Sequence, residues 1–463
     1  MFEILKSLEA FFNVAVGYVW GMPLLILLLG GGMFFTFYAR FLPFRYFKHG
    51  IDVLRGKYDD EEEKGEISHF QALSGHLAAT VGMGNISGVA LAIVAGGPGA
   101  IFWMWVSALL GITTKFFTCT LAVMYRGKDS QGELQGGPMY VIREGMPKVW
   151  KPLAAFFCIA GLFGATPIFQ ANQIVQVTKD VILRPMGWMG SNELLVNIGI
   201  GLVITFFTAL VIFGGLRRIA DVASKLVPAM VVVYGLSVLL IMLLNAESVL
   251  ENFFLIFEDA FTANAVLGGA VGAVIIEGAK RAAFSNEAGI GTAPMMHGAA
   301  KTNEPIREGL VAMLGPVVDT LIVCTMTGLC ILSTGVWQAG GNDGISLTAQ
   351  AFEMSIPVFG HYILFVPVLI FAFTTVFGMA YYGKKCFSYL FGAEHGHLFN
   401  YWYVAIIVIG SVWSLNGVVN LIFVMYGLMA IPTMVSAIYL SPKVLNEAKR
   451  YFKDLQNHQK SKF

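Results

Sequence analysis

The sequence predicts an all-α polytopic membrane protein, on three observations. Of 463 residues, 56% are apolar and only 13% are charged, about half the charged share of a soluble domain. The mean hydropathy is +0.70. The apolar residues gather in runs of about 20, the length a helix needs to cross a hydrocarbon core about 30 Å thick. Too little solvated surface remains for a soluble enzyme, a disordered chain or a fibre. A net charge of +1 supplies no field that would gather nucleic acid.

Eleven such runs occur, at residues 18–39, 70–95, 99–125, 152–182, 196–213, 221–244, 262–279, 308–333, 361–383, 399–414 and 416–440. Each is expected to be a helix, because an isolated strand leaves its backbone unsatisfied in lipid. With the N-terminus outside, the inner loops and the tail carry 26 of the 30 Lys and Arg, the positive-inside bias. The outer loop 245–261 holds Glu247, Glu251, Glu258 and Asp259 and no base. An odd number of spans and an inner C-terminus follow. The N-terminal stretch lacks a signal peptide's basic start and cleavage site, so the first run should persist as a helix. Residues 40–66 read as an inner segment with a solvated acidic turn. Residues 345–356 are too short to span and are expected to form an outer amphipathic helix. The five cysteines are scattered, with no CxxC pair. They read as reduced small hydrophobes, not as a metal site or disulfide framework.

The second span contains Thr80-Val81-Gly82-Met83-Gly84-Asn85. Two glycines and an Asn weaken a helix at mid-membrane. A break there frees backbone groups, which lipid tolerates only around a cavity or ligand. The half-helix starting near Asn85 would turn its positive end toward that cavity, an end suited to a carboxylate. Close glycine packing against a neighbouring helix explains the same residues equally well. The seventh span has a similar weakness at Gly268, Gly269 and Gly272. If the run 18–39 is an extra helix, ten remain as two halves, 70–244 and 262–440, followed by an inner tail 441–463. The weak spans then open the two halves in opposite directions, which points to the central site of a transporter.

Further candidates lie inside spans. Thr374 and Thr375 offer hard oxygen donors that, with carbonyls of a broken helix, suit Na⁺. The bland alternative is that they bond the preceding turn. Gln170 and Asn172 are mid-span amides that fit substrate contact or helix–helix bonding. Lys115 and Asp319 are intramembrane charges, for which a mutual ion pair and a pathway role both fit. Glu277 falls at the inner end of its span. His76 titrates near neutrality when free, although a neutral core His is the simpler state.

Residues 96–111 read GGPGAIFWMWVSALLG. Gly96, Gly97, Gly99, Ala100, Phe102, Trp103, Met104, Trp105 and Gly111 fit the signature of the alanine/glycine:cation symporter family, which the chain closely resembles from about residue 15 to 445. Thr80-Val81-Gly82 with Gly84-Asn85, Gln135 to Tyr140, Gly214-Gly215, Phe284 to Gly289, Asp319-Thr320 and Tyr381-Tyr382-Gly383 are similar as well. The resemblance implies the five-plus-five inverted-repeat fold of sodium-coupled amino-acid transporters with one leading helix, in the inner membrane of a prokaryote. It implies Na⁺-driven uptake of a small neutral amino acid. By that likeness, Na⁺ would meet carbonyls of Ala78, Val81 and Phe371 and the hydroxyls of Thr374 and Thr375. The substrate carboxylate would meet N–H groups around Met83, Gly84 and Asn85. Thr80, Gly82, Gln170, Gly268, Gly269, Gly272 and Met379 would complete the pocket.

The chain departs from that pattern at Met83, where members usually have Thr, at Met379, often Trp, and at His76, usually small. Arg281-Ala282-Ala283 replaces an Arg-Gly, and Thr118 stands near an expected Glu. Met is flexible and fills irregular space, so Met379 predicts a pocket that admits substrates larger than alanine or glycine, such as glutamine. His76 makes proton coupling the alternative to Na⁺. A channel would need a continuous polar pore, and no HExxH or GxxxxGK[ST] is present for an intramembrane metalloprotease or an ATP-driven pump. The expected partners are Na⁺, an amino acid and membrane lipid, with no nucleic acid, ATP or organic cofactor. Oligomeric state is left open.

Overall fold

A computed structural model describes residues 2–60, 62–189, 192–261, 270–341 and 344–460. Helices dominate. The strands among the described residues are a short antiparallel pair, Gly127–Lys128 with Leu134–Gln135. On length and composition seven helices suit a bilayer: Gly99–Met124, Lys148–Leu183, Glu193–Ile212, Gly215–Leu244, Pro305–Ser333, Gly360–Phe391 and Leu415–Asn457. Two bent pairs raise this to nine: Glu3–Val19 with Met22–Tyr38, bent by 56°, and His69–Thr80 with Met83–Gly96, bent by 41°. Ala270–Asn286 and Gly396–Val412 are 17 residues each.

Burial sorts these helices. Gly99–Met124 runs through the centre, with Phe116, Phe117 and Lys115 fully enclosed. Glu193–Ile212 and Gly215–Leu244 instead turn Leu202, Phe206, Leu210, Leu236 and Leu243 outward, the apolar exterior that lipid covers and water would not. Small residues let the helices approach. A Cβ on Gly278 would stand 2.5 Å from Trp103 Cβ, so Ala270–Asn286 packs directly on Gly99–Met124.

Several elements differ from the sequence reading. The first run bends at Gly21, because Pro23 lacks an N–H and favours a helix start. The preceding helix, Phe2–Val19, lies along Leu415–Lys460, and Trp20 Nε1 donates to the Phe423 carbonyl at 2.8 Å. The fourth run also breaks, at Ala165–Pro167, before Ile168–Thr178. The loop 245–261 contains a helix, Ala246–Ala260, whose Phe253 and Phe257 pack on Trp105. The short helix expected at 345–356 is present as Gly344–Ser355. The tail is no separate segment: the last helix continues to Lys460.

The largest difference concerns the seventh run. Gly268 and Gly269 lie outside the described residues. Gly272 belongs to an uninterrupted helix from Ala270 to Asn286. The interruption comes later, at 287–291, where Glu287, Gly289 and Gly291 have φ of 56°, 84° and 108°, before the short helix Thr292–His297. Glu277 therefore does not mark the end of its span near the basic loops. It packs against Gly96, at the far end of the first broken helix. There it pairs with Lys280 and Arg281, each at 2.5 Å. Repeated glycine reads as a weak point in one dimension, but a helix persists where its neighbours pack against it.

Candidate functional site

The first break is built from Asn85. In an unbroken helix the Gly82 N–H would bond the Ala78 carbonyl. Here it donates to Asn85 Oδ1 at 2.9 Å. The last regular bond of the preceding half is Val81 N–H to Leu77 O at 2.7 Å. The carbonyls of Ala78 and Val81 are thereby released. Asn85's own N–H bonds the Gly82 carbonyl at 3.1 Å. The N–H groups of Met83 and Gly84 remain as the free first-turn donors of the second half-helix.

The long helix Gly360–Phe391 presses on this break. A Cβ on Gly378 would lie 2.7 Å from that of Ala79. A Cβ on Gly82 would collide with the Thr375 hydroxyl and stand 3.4 Å from the Phe371 carbonyl. Thr375 donates to that carbonyl at 2.9 Å, and Thr374 at 3.0 Å. The preceding-turn bonds weighed from the sequence are therefore made. They use the hydroxyl protons, and the Thr375 oxygen stays against the break with its lone pairs free to accept. Ala78, Val81, Phe371, Thr374 and Thr375 are all at most 2% exposed, so the break faces a dry, oxygen-rich wall.

The other side of the break meets the end of Ala270–Asn286. Cβ atoms on Gly84 and Gly88 would lie 3.5 and 3.4 Å from Phe284 Cδ1. The Phe284 ring contacts Phe169 at 5.0 Å and Phe423 at 5.2 Å. Next to Phe169, in the first turn after the Pro167 break, Gln170 is 5% exposed, and its Oε1 has no hydrogen-bond partner. Met379 meets Tyr426, with Sδ 3.8 Å from the hydroxyl, and Tyr426 donates to Glu287 Oε1 at 2.6 Å. Thr80 turns inward to the His76 carbonyl at 3.2 Å. Asn172 is occupied elsewhere, donating to the Trp413 carbonyl at 2.8 Å.

The buried charges are settled individually. Lys115 Nζ bonds His76 Nε2 at 2.5 Å, and His76 Nδ1 meets the Tyr382 hydroxyl at 3.1 Å. Asp319 accepts from Asn85 Nδ2 at 2.8 Å, from Thr320 at 2.8 Å and from Ser285. Lys115 and Asp319 thus have separate partners. Asn85 serves both the break and the carboxylate.

Two cavities flank this centre. One, of about 320 Å³, is lined by Asn172, Gln176, Asn197, Ser346 and Ser414. It is separated from the break by Gln173, which accepts from Ser87 at 2.6 Å. The other, of about 400 Å³, lies on the basic-loop face beside Glu66, Gln135, Tyr140 and Lys385. Below Met379 it is closed by Lys385, which donates to the Met295 carbonyl and the Tyr381 hydroxyl, both at 2.9 Å. At the break itself, Ala78, Val81 and Met83 are at most 1% exposed.

Glu287, Phe284, Ser285 and Tyr426 were not singled out as pocket residues from the sequence. The spaced glycines after Glu287 and the Thr166-Pro167 pair were the available signals.

Comparisons with known proteins bear on the family and the fold. The family described as the sodium:alanine symporter family matches residues 5–463. The sodium/alanine symporter AgcS of Methanococcus maripaludis is 40% identical over 454 residues, covering 97% of this chain and 98% of that protein. A Bacillus subtilis protein named "Probable sodium/glutamine symporter GlnT" is 34% identical over 447 residues, covering 96% and 91%. The crystal structure of MhsT in complex with L-phenylalanine superposes with a TM-score of 0.59 at 11% identity, over 82% of this chain and 98% of that one, which is a likeness of fold. With a family match along nearly its whole length and a relative 40% identical over 97% of the chain, the chain belongs to the sodium:alanine symporter family of membrane transporters.

Proposed function

We propose that the protein is a sodium-coupled symporter that imports a small neutral amino acid, of the alanine/glycine class or larger such as glutamine, by alternating access. In this reading the chain crosses a prokaryotic inner membrane eleven times, N-terminus outside and C-terminus inside. The halves 70–244 and 262–440 form inverted five-helix repeats after one leading helix. The observation that carries the reading is the break at Val81–Gly82 facing the oxygens of Phe371 and Thr375.

Na⁺ would take the released carbonyls of Ala78 and Val81, the Phe371 carbonyl and the hydroxyls of Thr374 and Thr375. It would tie the first broken helix to Gly360–Phe391. That tie orders the N–H groups of Met83 and Gly84 for the substrate carboxylate, and the unpartnered Gln170 Oε1 suits the substrate ammonium. Each ligand should then strengthen the other's binding by the same factor. Opening at Gln173 or at Lys385 would admit and release substrate alternately.

The test is uptake of labelled alanine and labelled glutamine by proteoliposomes under an inward Na⁺ gradient, a proton gradient or neither. Uptake of either label only with Na⁺ supports the reading. Uptake driven by protons alone, or none, overturns it.

Two substitutions sharpen this. Thr375→Val keeps the shape but removes one oxygen ligand, a loss of about 1–3 kcal/mol. The Na⁺ concentration for half-maximal uptake should rise at least about fivefold, with the substrate KM at saturating Na⁺ nearly unchanged. Met379→Trp exchanges a flexible chain for a rigid indole. Competition by glutamine should weaken about tenfold or more while alanine uptake persists.

A further inference from the structure

Three elements on the basic-loop face meet at a group the transport reading does not use. Glu308, in Pro305–Ala312, accepts from His297 Nδ1 at 2.5 Å and from His69 Nδ1. His69 opens the half-helix His69–Thr80, and His297 closes Thr292–His297. Glu308 and His297 are 0% exposed and His69 1%. Nε2 of both rings has no hydrogen-bond partner. The neighbouring backbone is knotted together: Ile67 bridges Ala300. Arg126 donates to the carbonyls of Gly298, Ala300, Thr302 and Lys64.

The charge count of this triad is constrained. Both carboxylate oxygens accept from a ring Nδ1, so with two neutral rings the triad itself carries one net buried negative charge. Enclosure makes that state costly. One further proton, on the unpartnered His69 Nε2, gives a neutral carboxylate–imidazolium pair with the His297 imidazole as second donor. The other groups near the triad do not replace that proton. Asp59 Oδ1, half-exposed, lies 4.0 Å from His69 Nε2 and favours positive charge there. The His76 ring, 5.7 Å from that of His297, already holds Lys115 at its own Nε2. Arg126 and Arg307 lie within electrostatic range and offset part of the charge, but their hydrogen bonds go elsewhere: Arg126 donates to backbone carbonyls, and Arg307 meets the Tyr58 carbonyl and Glu63. Cys119 is uncharged as a thiol.

We propose that His69, Glu308 and His297 form a one-proton binding site that latches the basic-loop face shut. The proton enters from water by way of Asp59 and His69 Nε2 and returns to water on the same side when the knot opens. Once Glu308 is hydrated, its charge no longer needs the extra proton. Protonation therefore favours the closed form. That stabilisation is present at low pH and is lost as pH rises. Rising pH on this face promotes opening of the half-helices that bracket the transport site, which makes substrate release sensitive to pH on that side.

The test uses the full chain in lipid nanodiscs with no substrate. Hydrogen exchange of residues 66–80 and 297–304 is followed from about pH 6 to about pH 8, with intrinsic rates divided out. One linked proton should lower protection by up to about tenfold per pH unit. Glu308→Gln, whose amide needs no charge partner, should abolish the slope, whereas a purely structural role would shift protection equally at every pH. A pH-independent wild type, or a slope that survives in Glu308→Gln, overturns the proposal. Should that variant fail to fold, nitrogen chemical shifts of labelled histidines in the wild type decide. A protonated His69 near neutral pH supports the site, and a His69 ring that stays neutral throughout refutes it. Neither measurement depends on transport, so failure of Na⁺-driven uptake would leave the proton site standing, and the reverse.

Discussion

Replacing Gly82 by Ala should abolish Na⁺-driven uptake while leaving the protein able to insert in the membrane. The added methyl group would occupy the position of the Thr375 hydroxyl and sit 3.4 Å from the Phe371 carbonyl. Turning the Thr375 hydroxyl away would break its bond to the Phe371 carbonyl at 2.9 Å. The long helix is already against Ala79 at Gly378. Either the broken helix backs away from the threonine pair or Thr375 changes rotamer. Both separate the oxygens expected to share the ion. Overpacking of this kind costs about 1–3 kcal/mol, and the whole of it falls on the proposed Na⁺ site. Initial uptake at a fixed Na⁺ gradient should fall at least about tenfold, with partial recovery at high Na⁺. Uptake within twofold of wild type would show that the Gly82–Thr375 contact does not shape the ion site.

Asn85→Ala should be the most destabilising single change at the centre. Its Oδ1 holds the Gly82 N–H at 2.9 Å, and its Nδ2 donates to the Asp319 carboxylate at 2.8 Å and the Asp319 carbonyl at 3.0 Å. Truncation leaves a buried donor and a buried carboxylate oxygen unsatisfied together. Each such loss costs about 1–3 kcal/mol, more when a charge is involved. The melting temperature of the purified protein in detergent should drop by several degrees. Asn85→Asp keeps the acceptor for Gly82 but sets a second carboxylate against Asp319, so it should not rescue stability. A melting temperature unchanged by Asn85→Ala would mean that the break is held by the neighbouring helices alone.

The first broken helix was legible because the weakness and its repair lie close together. Gly82, Gly84 and Asn85 fall inside one apolar run, and Asn85 caps its own break three residues away. Thr374 and Thr375 were legible because adjacent hydroxyls stand out in an apolar helix. A second break was missed for the opposite reason. Gly272 looks weak in one dimension yet lies within a helix, whereas the interruption at Glu287–Gly291 turns on a non-glycine residue with φ of 56°. That conformation is held by Tyr426, 139 residues away in sequence, as well as by nearby Thr292. The shift also explains Glu277: it pairs with Lys280 and Arg281 beside Gly96, a place no charge count along the chain could supply.

Composition, run length and local pattern alone determined that this is a helical membrane protein and where its apolar runs lie, and they marked Gly82–Asn85 as the place where the second run could break. These properties depend on the cost of an unpaired backbone group in lipid and on side chains a few residues apart, and both can be read in one dimension. The tertiary structure decided which buried charges meet. Lys115 found His76 rather than Asp319, Asp319 found Asn85 at a separation of 234 residues, and Glu308 found His69 at 239. A buried polar group must have a partner, but its chemistry does not specify which distant helix brings that partner within 3 Å.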